Sequence, residues 1–355
     1  MKRAYFIGWD VHCAFTEMAI VTQDGRLVKR LRCPTTIPDL AEALEAVPRP
    51  RHVAIEEGPL ADWLWRNLAA RVDGFLVSDP RRNRLIAQDA DKDDPIDAEK
   101  LAQLLRGGYL KAVHHPQSLD RAVFKHLVLV YHDRVRQRVR EANRVMGYLR
   151  RYGVFVREKA FKEKADRQAL LERLPPNRLV PTNLQVLWQG YDVAVAQERQ
   201  LRRRLVREAR RQEPIRRFVA LPGIAWVRAA TLFVYLDTPW RFATKERLWR
   251  YLGIGLERRH SGAGPARVRL AHQANRVLKG VIVGAAKRAI ASGTNPFAEQ
   301  HRRWLRAGLA PANARRNVAR SLAATLWGMW KHGSAYHPEW VGVPATAVEA
   351  AGVLS

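Results

Sequence analysis

Cysteine is nearly missing. Cys13 and Cys33 are the two in 355 residues, and their spacing matches no zinc or redox motif, so reduced thiols are expected. Long apolar runs are missing too: none approaches the roughly 20 residues that a membrane helix needs. The N-terminal MKRAYFIGWDVH meets an aspartate too early to form the apolar core of an export signal. With no segment to span a membrane, no membrane partner is expected, and a cytoplasmic protein is. Tandem repeats and low-complexity tracts are absent as well. Acidic residues are scarce, 34 Asp+Glu against 62 Lys+Arg, for a formal net charge of +28.

What is present is a chain long enough for two or three domains with real cores. Hydrophobic residues make up 47% of it, which rules out wholesale disorder. The charge is informative once divided. Residues 1–115 hold 17 basic and 17 acidic side chains, so the remaining 45 basic and 17 acidic ones, and with them the whole surplus, lie in 116–355. A neutral domain joined to one that binds a polyanion accounts for the division, because each Lys or Arg near a phosphate releases condensed counterion. A membrane surface is the weaker candidate, since a basic amphipathic anchor is local and would not spread over so long a stretch.

Alternation of apolar residues predicts strands at YFIGWDVH, TEMAIVT and, after the Asp24-Gly25 turn, GRLVKRLRCPT, joined as an antiparallel meander. Helical spacing follows in IPDLAEALEAV, then a strand HVAIEE, a helix LADWLWRNLAARV and a strand GFLVSDP. The order predicts a mixed sheet flanked by helices for 1–115. From 116 the pattern turns to long helix, with Phe124, Val128, Tyr131, Val135, Val139, Ala142, Met146 and Leu149 three or four apart. LPPNRLVPTN interrupts it, and Leu184, Trp188, Tyr191, Val195, Leu201 and Leu205 resume it. Residues 116–215 therefore read as a helical, coiled-coil-like arm, serving either self-association or packing in a plain bundle. Residues 216–355 read as a basic, helical C-terminal domain. The fold class is thus α/β followed by all-α.

The acidic residues that do occur are clustered. Asp89, Asp91, Asp93, Asp94 and Asp97 crowd into nine residues just before the apolar series Leu101, Leu104, Leu105. Capping a helix needs only one or two of the five. Asp94 and Asp97 share a face at the helix start, Asp10 ends the first strand, and Glu56 ends the fourth with Glu57 directly after it. Each alone is ordinary, but strand ends and helix starts are where an α/β sheet gathers its functional groups. Carboxylates gathered so closely repel unless cations neutralise them, and hard oxygen donors suit Mg²⁺ or Mn²⁺. Two such ions can activate a nucleophile and stabilise a leaving oxygen in phosphodiester chemistry.

Two features of the basic part bear on a polyanion. Leu221-Pro222-Gly223-Ile224 between two helices resembles a helix-hairpin-helix turn, in which Gly223 would let backbone N–H groups approach a DNA phosphate. The loop RRHSGAGPAR holds Ser261 among Arg258, Arg259 and Arg267, which can grip a phosphate, with Gly262 and Gly264 permitting close approach. By composition alone Ser261 is a turn residue, and His260 beside it a phosphate or solvent contact.

The order Asp10, Glu56, Asp94, Asp97 on this strand pattern resembles the ribonuclease H-like fold in its RuvC form. More closely, GWDVH, IEEGPLADWL, SDPRRNRLIA and KDDPIDAEKLAQLL, followed by LPGI, RFATKERLWRYLGI and SGAG, resemble the DEDD transposases of insertion sequences (insertion-sequence family 110), the group that includes Piv-type DNA invertases. Many members carry Glu-x-x-Gly after the fourth strand, where this chain has Glu56-Glu57-Gly58-Pro59. Glu56 is favoured over Glu57 for its place after Ile55. The resemblance implies a catalytic, metal-binding set of Asp10, Glu56, Asp94 and Asp97, and makes Ser261 a nucleophile forming a phosphoserine link to DNA. It further implies double-stranded DNA, other copies of the chain as a dimer or tetramer, and a structured guide RNA encoded by the element as partners, in the nucleoid of a prokaryotic cell. A junction-resolving nuclease that hydrolyses with water would need the carboxylates and not Ser261. A non-catalytic DNA-binding protein would need neither.

Overall fold

The computed structural model describes residues 3–80, 94–116, 118–259, 267–270 and 274–341. The chain falls into two compact units, Met1–His115 and Pro116–Ser355.

The first unit is built on five strands: β1 Tyr5–Val11, β2 Phe15–Thr22, β3 Leu27–Pro34, β4 Arg51–Glu56 and β5 Gly74–Ser78, in sheet order β3-β2-β1-β4-β5. β1, β2 and β3 pair antiparallel, and β1, β4 and β5 pair parallel. A mixed sheet results because hairpin turns can join only antiparallel neighbours, whereas the parallel strands need the crossover helices α1 Ile37–Glu45 and α2 Ala61–Leu68. Thr36 caps α1 through its side chain, which accepts from the Asp39 N–H. Period-two alternation sends Ile7, Trp9, Met18, Ile20, Val53 and Ile55 to one face, where they form a core with Leu40 and Leu44 of α1 and Leu64 and Leu68 of α2.

The opposite face carries small residues, Gly8, Ala19 and Ala54, and here α3 Asp94–Arg106 lies close. A Cβ built on Gly8 would sit 2.0 Å from the Ala98 carbonyl oxygen and 2.5 Å from the Ala102 nitrogen, so glycine is what permits helix and strand to approach so nearly. Near its C-terminal end α3 is tied to the β2–β3 turn, where Gln103 donates to the Gly25 carbonyl at 2.8 Å. That turn lies beside the start of β1, since Tyr5 pairs with Thr22. The helix therefore runs opposite to β1, and its N-terminal end stands over the strand's C-terminal end.

The second unit begins with two long helices, α4 Leu119–Arg150 and α5 Leu179–Ala209. Contacts of Arg138 with Glu198 and of Tyr148 with the Val180 carbonyl show that they run antiparallel. At the far end Val145, Leu149, Phe161, Leu170, Leu184, Trp188 and Tyr191 form one core. At the near end Phe124, Val128, Tyr131, Leu205 and Ala209 share a second core with the shorter helices α6 Glu213–Phe218, α7 Trp226–Leu236, α8 Lys245–Tyr251, α9 Arg276–Ser292, α10 Pro296–Arg306 and α11 Pro311–His332. The interrupted helix pattern of 116–215 is thus one antiparallel pair whose base is continuous with the C-terminal helices. A hairpin, β6 Leu256–Arg259 and β7 Arg267–Leu270, stands between α8 and α9. No helix among the described residues is long and apolar enough to cross a membrane.

Candidate active site

The register places the acidic residues of the sheet in one row. Trp9 pairs with Ile55, so Asp10 comes next to Glu56 at the C-terminal ends of neighbouring parallel strands. Glu56 is level with Ser78 on β5, and Asp10 is directly opposite Glu17 on β2. Alternation puts Asp10 on the face of Gly8 and Glu56 on the face of Ala54, which is the face that α3 covers. Glu57 lies past the end of β4, and its N–H donates to the Ser78 carbonyl at 2.9 Å. Because α3 runs opposite to β1, its first turn, with Asp94 and Asp97, belongs to the same end of the sheet. The helix dipole adds partial positive charge there. A hollow of this unit, lined by Phe6, His52, Phe75 and Leu105 among others, lies toward the strand starts and includes none of the four carboxylates.

Two neighbours of Asp10 were not singled out in the sequence. His12 Nε2 stands 3.2 Å from Asp10 Oδ2, with its ring 4.7 Å from that of Phe15. Glu17, only 5% exposed, is a buried carboxylate beside Asp10 on the same face. It is neutralised by the next strand, where Arg32, directly opposite in register, pairs with it and lies 4.2 Å over the Phe15 ring. Counting register across the two hairpins would have found both Glu17 and Arg32; reading each strand alone could not.

The donor chemistry of Asp10, Glu56, Asp94 and Asp97 is all oxygen and suits a hard divalent ion. Among the described residues no three His, Cys, Asp or Glu side chains stand close enough to hold a metal, and the Asp94 side chain lies outside what is described. The strands and α3 thus bring three of the positions to one end of one face without closing a ligand shell.

In the second unit Gly223 has φ +81°, and a Cβ there would meet the Ala285 carbonyl oxygen at 2.2 Å. The glycine thus lets the α6–α7 turn press against the backbone of α9, and Arg228 donates to its carbonyl at 2.7 Å. Arg258 and Arg259 lie on β6 and Arg267 on β7, with Arg259 and Arg267 level in the ladder. Ser261, His260, Gly262 and Gly264, like Asp89, Asp91 and Asp93, lie outside the described residues. The foot of the hairpin is firmly held: Arg320 Nε donates to the Ile254 carbonyl at 2.8 Å, Trp249 Nε1 to the Arg320 carbonyl at 3.1 Å, and the Asn275 N–H to the Tyr251 carbonyl at 3.1 Å.

Known proteins resemble the chain in both units. A transposase family model matches residues 7–154, and the model of the IS116/IS110/IS902 transposase family matches residues 215–302. The y4pF/y4sB protein of Sinorhizobium fredii, whose name assigns it provisionally to the transposases, is 24% identical over 254 residues. That match covers 69% of this chain and 64% of the relative, so the chain spans a little under two thirds of the relative's length. The first match runs from within β1 to just past the end of α4, and the second from α6 into α10, with the β6–β7 hairpin inside it. The chain belongs to the IS110 family of transposases.

Proposed function

We propose that the protein is a DNA transposase that cuts and rejoins strands, with a ribonuclease H-like first unit. The observation that carries this reading is the gathering of Asp10, Glu56 and the first turn of α3 at one end of one sheet face. The acidic end belongs to an electrically neutral unit, while the whole +28 surplus lies in the other part of the chain. In this reading Asp10, Glu56, Asp94 and Asp97 hold Mg²⁺ or Mn²⁺, which when bound offsets phosphate charge and polarises the bond to be cut. Arg258, Arg259 and Arg267 grip the phosphate, and the turn at Gly223 together with the basic helices holds double-stranded DNA.

Ser261 is the nucleophile. Its hydroxyl gives up a proton as the oxygen bonds phosphorus, the bond from phosphorus to the leaving strand's oxygen breaks, and one proton passed to that oxygen lets the strand depart as a hydroxyl, so protons balance over the step. The cut bond's energy is kept in the phosphoserine ester, so rejoining needs no outside energy source. Copies of the chain act together, and an element-encoded RNA sets the target, in the nucleoid of a prokaryotic cytoplasm.

The test is to incubate the protein with its element ends, Mg²⁺ and the flanking transcript, then denature. A covalent protein–DNA adduct is expected with the wild type, and none with Ser261→Ala or Asp10→Asn. Cleavage by Ser261→Ala at the normal rate, with free ends and no adduct, would replace this reading with hydrolysis by water. Equal activity in excess chelator would remove the metal.

A further inference from the structure

The turn between α7 and α8 displays a tryptophan where folding gives no reason for one. Trp240 is 70% exposed, yet both of its neighbours are pinned. The Pro239 carbonyl accepts from Trp327 Nε1 at 2.8 Å, and Arg241 donates to the Tyr235 carbonyl at 3.0 Å while lying 4.5 Å over the Tyr251 ring. Thr238 caps the turn, its side-chain oxygen accepting from the Trp240 N–H at 3.4 Å. The indole is therefore presented on a fixed backbone, which lowers the ordering cost of any contact it makes.

A cation accompanies it. Lys331 Nζ lies 5.1 Å over the Trp240 ring and 4.5 Å over that of Trp327. Phe155 and Tyr109 are as exposed, at 77% and 70%, but among the described residues neither has a cation over its ring. Lys331 also continues a row. Arg316, Arg320, Ala324, Trp327 and Lys331 are four, four, three and four residues apart, so they share one face of α11, and no acidic residue occurs between Glu299 and Glu339. Arg320 is the residue bonded to Ile254 at the foot of the β6–β7 hairpin. At about 1.5 Å per residue, the Trp327–Lys331 end lies roughly 16 Å along the helix from it, a span of several nucleotides.

We infer that Trp240, with Lys331 and Trp327 behind it, is a stacking platform for an unpaired base of a nucleic-acid strand that runs along α11 from the hairpin. Stacking suits an exposed indole because every base has an apolar π-face, and the cationic row matches the strand's phosphates. An acidic peptide would match the charge but would make no use of the ring.

The inference rests on the nucleic-acid reading above, and the experiment separates the two. Binding of the full chain is measured by fluorescence anisotropy to an oligo-dT of about twenty nucleotides and to a duplex of the same length. Trp240→Ala should weaken oligo-dT binding about 5- to 50-fold while changing duplex binding less than about twofold, and Trp240→Phe should restore most of the loss. Lys331→Ala should lower the salt slope for oligo-dT by about one. Unchanged oligo-dT affinity in Trp240→Ala, or an equal fall for both probes, overturns the platform. So does a platform variant that loses affinity for a poly-glutamate competitor and not for oligo-dT. Wild-type protein that binds neither nucleic acid overturns the nucleic-acid reading itself.

Discussion

Gly8 shows how much one missing methyl can matter. Its place opposite Ala98 and Ala102 sets the distance between β1 and α3, and with it where the first turn of α3 stands relative to Asp10. Gly8→Ala should destabilise the first unit by about 1–3 kcal/mol through overpacking against backbone that cannot yield, as read by urea denaturation. It should also reduce strand cleavage more than DNA affinity. Gly58→Ala, with nothing within 4 Å of the added methyl, should do neither. The Glu17–Arg32 pair is a second test at this scale. Arg32→Gln leaves a buried carboxylate beside Asp10 without its neutralising partner, and should cost about 1–3 kcal/mol, the penalty of stranding a buried group whose partner is itself largely in water. Adding Glu17→Gln should recover most of that loss, so a double-mutant cycle that comes out additive would rule the coupling out.

At the scale of elements, the tip of the α4–α5 pair is fastened by Arg167, a buried guanidinium that donates to the Phe161 carbonyl at 2.9 Å and to both carboxylate oxygens of Asp192, and lies 5.1 Å over Trp188. The hydrogen bonds from Arg167 hold the Asp192 carboxyl below its ordinary 3.8, against a smaller opposing effect of burial. A carboxyl depressed in the folded state contributes stability that is complete above its unfolded pKa and lost as pH falls toward the folded one. The tip should therefore be insensitive to pH from neutrality to about 5 and weaken below about 4. Circular dichroism of an acid titration should show this, with Asp192→Asn flattening the curve below that point. At neutral pH Asp192→Asn should cost about 0.5–1 kcal/mol, because the carboxylate is partly in water. Arg167→Ala should cost more, about 2–3 kcal/mol, since it also strands the Phe161 carbonyl.

At the scale of the whole molecule, the division of charge follows the division into compact units. Residues 116–355 should bind duplex DNA with an affinity that falls steeply with salt, by a log–log slope of about −4 or steeper if five or more phosphates are contacted. Residues 1–115, having no net positive charge, should bind weakly and with a shallow slope. Equal affinities at equal salt would make the division incidental.

Most of the elements were legible in the chain before it is folded. Alternation in Tyr5–Val11 and Phe15–Thr22, the Asp24-Gly25 turn and the helical spacing of Leu101, Leu104 and Leu105 are local signals, and the strands and helices lie where those signals put them. The surplus of basic over acidic residues after 115 likewise needed no fold to be seen. Only the tertiary structure decided what depends on register and close approach. Glu17 looked like any strand carboxylate until pairing put it opposite Asp10, and the close approach of the α9 backbone to Gly223 is likewise invisible in the local sequence. A local pattern fixes which face a side chain takes, but what stands across from it is set by residues far away in the chain. For that reason the acidic row, the pinned Trp240 and the Arg320 tie to the hairpin's foot become visible only once the chain is folded.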